Sequence, residues 1–186
     1  EALSEAHKLG MVHRDIKPDN IMMDESGRVK VMDFGLARGV HSTTELTAKG
    51  AVLGTPRYMS PEQCEGHKPD QRTDIYSLGI VLFEMLTGIT PYAAETPLAL
   101  MRHIVESPLP AIEEISADVP PQICSIVYRM TAKRPEDRYD SAEAVAGDIR
   151  VLLEGSDSRQ LLVPSSHADA DKTRRISVST PLTPLN

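Results

Sequence analysis

The chain has 186 residues, a formal net charge of -7, a hydrophobic share of 40% and a charged share of 25%, the proportions of a globular protein with one core of ordinary size. The negative balance argues against nucleic acid or an anionic membrane as the main partner. Cys64 and Cys124 stand far apart and outside any CxxC pair, which argues against a disulfide framework or zinc site and for two reduced thiols.

In chain order, residues 1–9 read as the end of a helix stopped by Gly10. Residues 21–23 and 29–31 are short apolar runs flanking Asp24, Glu25, Ser26 and Gly27, a hairpin signal. Residues 33–62 are rich in Gly, Thr, Ser and Pro and predict a long loop, of the kind that in a compact domain is functional or disordered. Residues 73–87 carry Ile75, Leu78, Ile80, Val81, Leu82, Met85 and Leu86, apolar on nearly all sides, which predicts a helix buried in the centre. Gly88 closes it and Pro91 forbids its continuation. Further helices are predicted from Pro97 to about Glu106, over about 121–131, and over about 141–153 with Ser141 as its N-cap and Glu143 in its first turn. The longest apolar run, residues 78–86, is broken by Gly79 and Glu84 and is too short to span a membrane. There is no secretory signal, and a first residue of Glu1 rather than Met leaves room for an upstream start.

Composition shifts near Gly155. Residues 156–186 hold three acidic and four basic residues, so the negative excess lies in residues 1–155. The last stretch, rich in Ser, Thr and Pro, reads as a disordered tail. Arg174, Arg175, Ile176 and Ser177 place two basic residues before a serine, but a solvated linker is the preferred reading.

The chemistry concentrates in His13-Arg14-Asp15-Ile16-Lys17-Pro18-Asp19-Asn20, followed thirteen residues later by Asp33-Phe34-Gly35. Phosphoryl transfer needs a carboxylate to orient the attacking hydroxyl, oxygen ligands for Mg²⁺, and a cation to offset charge on the moving group. Asp15 suits the first role, Asn20 and Asp33 the second, and Lys17 the third. The predicted hairpin returns Asp33 toward Asn20.

The string resembles the catalytic loop of protein kinases, and Asp33-Phe34-Gly35 resembles the magnesium-binding motif that follows it. Gly54-Thr55-Pro56-Arg57-Tyr58-Met59-Ser60-Pro61-Glu62 resembles the end of a kinase activation segment, with Ser60 where Ala is usual. These motifs look most like those of bacterial serine/threonine kinases, and Lys17 at its position favours Ser or Thr as the acceptor. The resemblance implies a mainly α fold: a kinase C-terminal lobe, a helical bundle with a short β-hairpin at the catalytic loop, over residues 1–155, with the catalytic loop at 13–20 and the activation segment at 33–62. It implies that Thr55 bonds Asp15 and Lys17, that Glu62 pairs with Arg138, and that Asp74 accepts hydrogen bonds from the turn at His13 and Arg14. The bland reading of Asp74 is a carboxylate favoured at a helix N-terminus, and both can hold. His13 reads as a packed core histidine. Arg14 implies control by phosphorylation. Thr47, eight residues before Thr55, is the preferred acceptor, although relatives often carry a second threonine where Lys49 stands.

A complete kinase also needs a glycine-rich loop, a strand lysine and a helix glutamate. No GxGxxG occurs in this chain, and the N-terminal β lobe is read as absent. The expectation is therefore a fragment, inactive by itself, of a kinase that transfers the γ-phosphate of ATP, with Mg²⁺, to Ser or Thr hydroxyls of protein substrates. Its expected partners are those substrates and the missing N-terminal lobe, which would cover an exposed apolar patch. The expected location is the cytoplasm, with any membrane anchor outside these residues. The alternatives are a non-catalytic kinase-like scaffold and a small-molecule phosphotransferase with a related lobe. The presence of Asp15, Lys17, Asn20 and Asp33 together disfavours the first, and residues 54–62 with Arg138 the second.

Overall fold

The computed structural model describes residues 1–34 and 56–160, the last five only as helical backbone. Helix α1 (Ala2–Lys8) buries Leu3, Ser4 and Ala6. It ends as a Schellman motif: Gly10 N–H donates to the His7 carbonyl at 2.9 Å and Met11 N–H to the Ala6 carbonyl at 3.0 Å. Gly10 takes the left-handed conformation this needs, φ 73°, which a Cβ would disfavour. Strands β1 (Ile21–Met23) and β2 (Val29–Val31) pair antiparallel, with Ile21 opposite Val31 and Met23 opposite Val29. Their turn is organised by Asp24, whose Oδ1 accepts from the amides of Ser26 and Arg28, both at 3.0 Å.

Helix α2 (Pro61–Cys64) starts inside the segment read as loop. Its signal was present in Ser60-Pro61-Glu62-Gln63: a serine N-cap, proline at the first helical position, and glutamine three residues on. Helix α3 (Gln71–Thr87) starts two residues before the predicted position because Asp70 caps it, accepting from the Arg72 amide at 2.7 Å. Helices α4 (Pro97–Glu106) and α6 (Pro121–Met130) fall where the pattern places them, and Thr96 caps α4 through the Ala99 amide at 3.2 Å. Helix α5 (Ile112–Ile115) is too short for periodicity to announce; one side chain, Ile112, buries it. Helix α7 (Ala142–Gln160) is capped by Ser141, which accepts from the Ala144 amide at 3.2 Å. It runs past the expected end near residue 153. Gly155 lowers helix propensity by about 1 kcal/mol relative to alanine but does not itself break a helix.

Among the described residues, four hydrophobic clusters each draw on α3. Ile75 packs with Ile126, Met130, Tyr139 and Val145. Tyr76 and Ile80 pack with Tyr92, Leu100 and Ile104. Val81 meets Leu3, Ile16 and Ala142, and Phe83 meets Ile112, Cys124 and Val127. This is why the sequence of α3 is apolar all round: it is the axis on which the other helices pack. The architecture is mainly helical with one short hairpin, as the fold reading expects.

Helices α3 and α6 touch at Gly79. A Cβ there would lie 2.7 Å from Thr131 Cγ2 and 2.9 Å from Met130 Cβ. Gly79→Ala should therefore destabilise the domain by about 1–3 kcal/mol through overpacking, despite the roughly 1 kcal/mol that alanine gains in helix propensity. Urea unfolding of the two proteins reads this directly; equal or greater stability in the variant would refute the close approach.

Candidate active site

The loop between α1 and β1 is held from beneath by Asp74, fully buried in the first turn of α3. Its Oδ1 accepts from the Arg14 amide at 2.7 Å, and its Oδ2 from the His13 amide at 2.8 Å. The same Oδ2 lies 2.8 Å from His7 Nε2 on α1; because a carboxylate oxygen only accepts, His7 donates there. A buried carboxylate with three donors, two of them backbone, is a fixed support rather than a reactive acid. His7 escaped the sequence reading: nothing local relates a histidine on α1 to an aspartate 67 residues on.

Arg14 is held at φ 67° and Asp33 at φ 54°, left-handed conformations that a side chain disfavours. Such strain persists where the surroundings over-determine the backbone, and it marks working sites. Between these two points the loop is tightly wired. Lys17 Nζ lies 2.9 Å from Asp15 Oδ2. Asn20 Nδ2 donates to the Asp15 carbonyl at 2.8 Å and to Asp15 Oδ2 at 3.2 Å. The Asn20 carbonyl accepts from the Met32 amide at 2.8 Å, so β1 and β2 bring the residue before Asp33 back to Asn20.

His13 lies in the core and joins both ends. Its Nδ1 accepts from the Asp15 amide at 3.2 Å, so its proton resides on Nε2, which donates to the Met32 carbonyl at 2.8 Å. Its ring meets Phe34 edge to face, centroids 4.8 Å apart.

Arg138 and Glu62 form a buried two-pronged ion pair, Nη1 to Oε1 and Nη2 to Oε2, both 2.8 Å. Thr73 Oγ1 donates to the same carboxylate at 2.7 Å. The guanidinium also donates to the carbonyls of Ala132, Arg72 and Lys133 at 2.7–3.1 Å. Burial pushes the Glu62 carboxyl up, but the Arg138 hydrogen bonds and charge, with Thr73, outweigh it and hold it below the usual carboxylate range. Nearby, Tyr58 donates to Glu84 Oε2 at 2.6 Å. Burial and then that carboxylate raise the Tyr58 phenol well above its ordinary value.

Thr47 and Thr55 lie outside the described residues. Asp15, Lys17 and Asn20 are thus brought into one cluster, with Asp74 beneath it holding the Arg14 amide, and Glu62 with Arg138 forms a second. Among the described residues, no group of three or more His, Cys, Asp or Glu gathers as a metal cage. The oxygen donors Asn20 and Asp33 suit Mg²⁺, which keeps much of its shell from water and phosphate. Asn20 commits its amide nitrogen to Asp15, which leaves Oδ1 as the atom for a cation. Leu9 at the end of α1 and Met22, Met23 and Val29 on the hairpin are apolar side chains left 57–74% exposed.

The protein kinase domain family matches residues 1–148. A probable serine/threonine-protein kinase of Corynebacterium efficiens is 43% identical over 164 residues, 85% of this chain and 25% of the relative. Serine/threonine-protein kinase PknB of Mycolicibacterium smegmatis is 40% identical over 179 residues, 95% of this chain and 28% of the relative. PknL of Mycobacterium tuberculosis is 38% identical over 168 residues, 90% and 42% respectively. The chain thus spans between a quarter and two-fifths of the length of these relatives. With a family match over most of its length, the chain belongs to the protein kinase domain family, and the relatives named above are bacterial serine/threonine kinases or probable ones.

Proposed function

We propose that these residues are the C-terminal lobe of a serine/threonine kinase that transfers the γ-phosphoryl group of ATP to Ser or Thr hydroxyls of protein substrates. The observation that carries the reading is the Asp15, Lys17 and Asn20 cluster, fixed by Asp74 and tied through Met32 to the strained Asp33. Asp15 orients the acceptor hydroxyl and takes its proton as the new O–P bond forms and the bond from the γ-phosphorus to the bridging oxygen breaks, releasing ADP. Lys17 offsets charge on the transferring group. Asn20 Oδ1 and the Asp33 carboxylate would hold Mg²⁺, which when bound would supply charge neutralisation at the phosphates. Thr55 steadies Asp15 and Lys17, and a phosphate on Thr47 pairs with Arg14. Glu62 and Arg138 fix the end of the activation segment. The exposed apolar side chains of the hairpin, Met22, Met23 and Val29, suit cover by a second, nucleotide-holding lobe. The protein works in the cytoplasm, and any membrane anchor lies in other segments.

The test is phosphate incorporation from labelled ATP by the full-length protein beside the 186-residue chain, with phosphoamino-acid analysis. The full-length protein should label serine and threonine, and the chain alone should stay at background. Robust transfer by the chain alone would sink the fragment reading. An inert full-length protein would make it a scaffold.

A further inference from the structure

Gln63 has a double set of partners that the proposed chemistry has not used. Its Oε1 accepts from the Ser60 amide at 3.0 Å and from Ser60 Oγ at 3.2 Å, while its own backbone N–H returns to Ser60 Oγ at 3.4 Å. That capping box fixes which way the side-chain amide faces. Its remaining group, Nε2, donates to the Arg14 carbonyl at 2.9 Å, 49 residues away.

The Arg14 carbonyl belongs to the peptide plane just ahead of Asp15. The N–H of that plane goes to His13 Nδ1, and the N–H of Arg14 itself goes to Asp74. Arg14 is thus gripped on both sides at φ 67°, and only Gln63 grips the carbonyl among the bonds described. Ser60 is completely buried, so the anchor of this arm is rigid.

We infer that Gln63, aimed by Ser60, is a positioning residue: it fixes the peptide plane before Asp15 and couples the end of the activation segment to the catalytic loop. The inference rests on the kinase reading above. A donor is required at Nε2 because an oxygen in its place would face the Arg14 carbonyl oxygen. Gln63→Glu makes that change and keeps the acceptor for Ser60. Gln63→Met removes donor and acceptor at similar length.

The test is single-turnover phosphoryl transfer by the full-length kinase, with KM for ATP and thermal midpoints measured alongside, and with Asp15→Asn as a parallel variant. Gln63→Glu should slow transfer about ten-fold, leave KM within about two-fold and move the midpoint by no more than about 1 °C, because a misaimed catalytic group costs rate rather than affinity. Gln63→Met, which lacks the donor but adds no repulsion, should fall between it and the wild type. A wild-type rate in Gln63→Glu overturns the inference. So does a rate loss that both variants share with a fallen midpoint, since that marks a role in stability alone. If instead the wild-type full-length protein transfers no phosphate, the kinase reading fails, and if Asp15→Asn transfers it at the wild-type rate, the assignment of Asp15 fails, whatever Gln63 does.

Discussion

Asp15→Asn in the full-length kinase should slow single-turnover phosphoryl transfer by about three orders of magnitude, within the usual range for losing a general base. The substitution keeps the shape of the side chain and removes its charge and its capacity to take a proton. Asp15 Oδ2 accepts from both Lys17 and Asn20. An amide oxygen in that place can still accept from both, but it carries no charge, so Lys17 would lose the charge that anchors it. The nucleotide contacts proposed for Asn20 and Asp33 stay in place, so ATP affinity should change by no more than about three-fold. Rapid-quench measurement with equilibrium nucleotide binding separates the two quantities. A rate within about ten-fold of wild type would remove Asp15 from the catalytic role.

Arg138→Leu should destabilise the domain by about 3–5 kcal/mol, the cost of leaving a buried charge without its partner. Glu62 would keep Thr73 as a donor but lose both guanidinium contacts, and three backbone carbonyls would lose theirs. This is a large part of the roughly 5–15 kcal/mol that holds a typical domain folded. The double variant Glu62→Gln with Arg138→Leu should lose less than the sum of the single losses, because neither member then leaves a bare charge. Equilibrium urea unfolding of the four proteins measures the coupling; strictly additive losses would show that the pair does not act as a unit.

The pair also sets a pH signature. The Glu62 carboxyl is lower in the folded chain than its ordinary 4.5. A depressed carboxylate gives stability that is fully present above the unfolded value and is lost as pH falls through the folded one. Wild-type stability should therefore decline in acid below about pH 4.5, and Arg138→Leu should flatten the part of that slope due to Glu62.

Much of the molecule was legible before any coordinate. The two hairpin runs around Asp24 and Gly27, the proline starts of α4 and α6, and the serine cap of α7 are local signals, each carried within a few residues. The all-round apolarity of α3 announced a central helix without saying what surrounds it. The motif spacing also named the residues of the candidate site, by resemblance rather than by contact. Helix α2 was missed although its capping box was written in the sequence, because one turn of helix leaves no periodicity. Helix α5 left none either.

What the sequence alone determined, then, is chemistry and local conformation: which side chains carry oxygen, charge and donors, and where helices and the hairpin begin. Only the tertiary structure decided the supports. His7 reaches Asp74, Gln63 reaches the Arg14 carbonyl, and Gly79 lets α3 and α6 touch. Arg14 and Asp33 are held in left-handed conformations that their own side chains disfavour. Each of these depends on residues far apart in the chain meeting across a packed core, and periodicity and capping report only on neighbours within a turn or a strand.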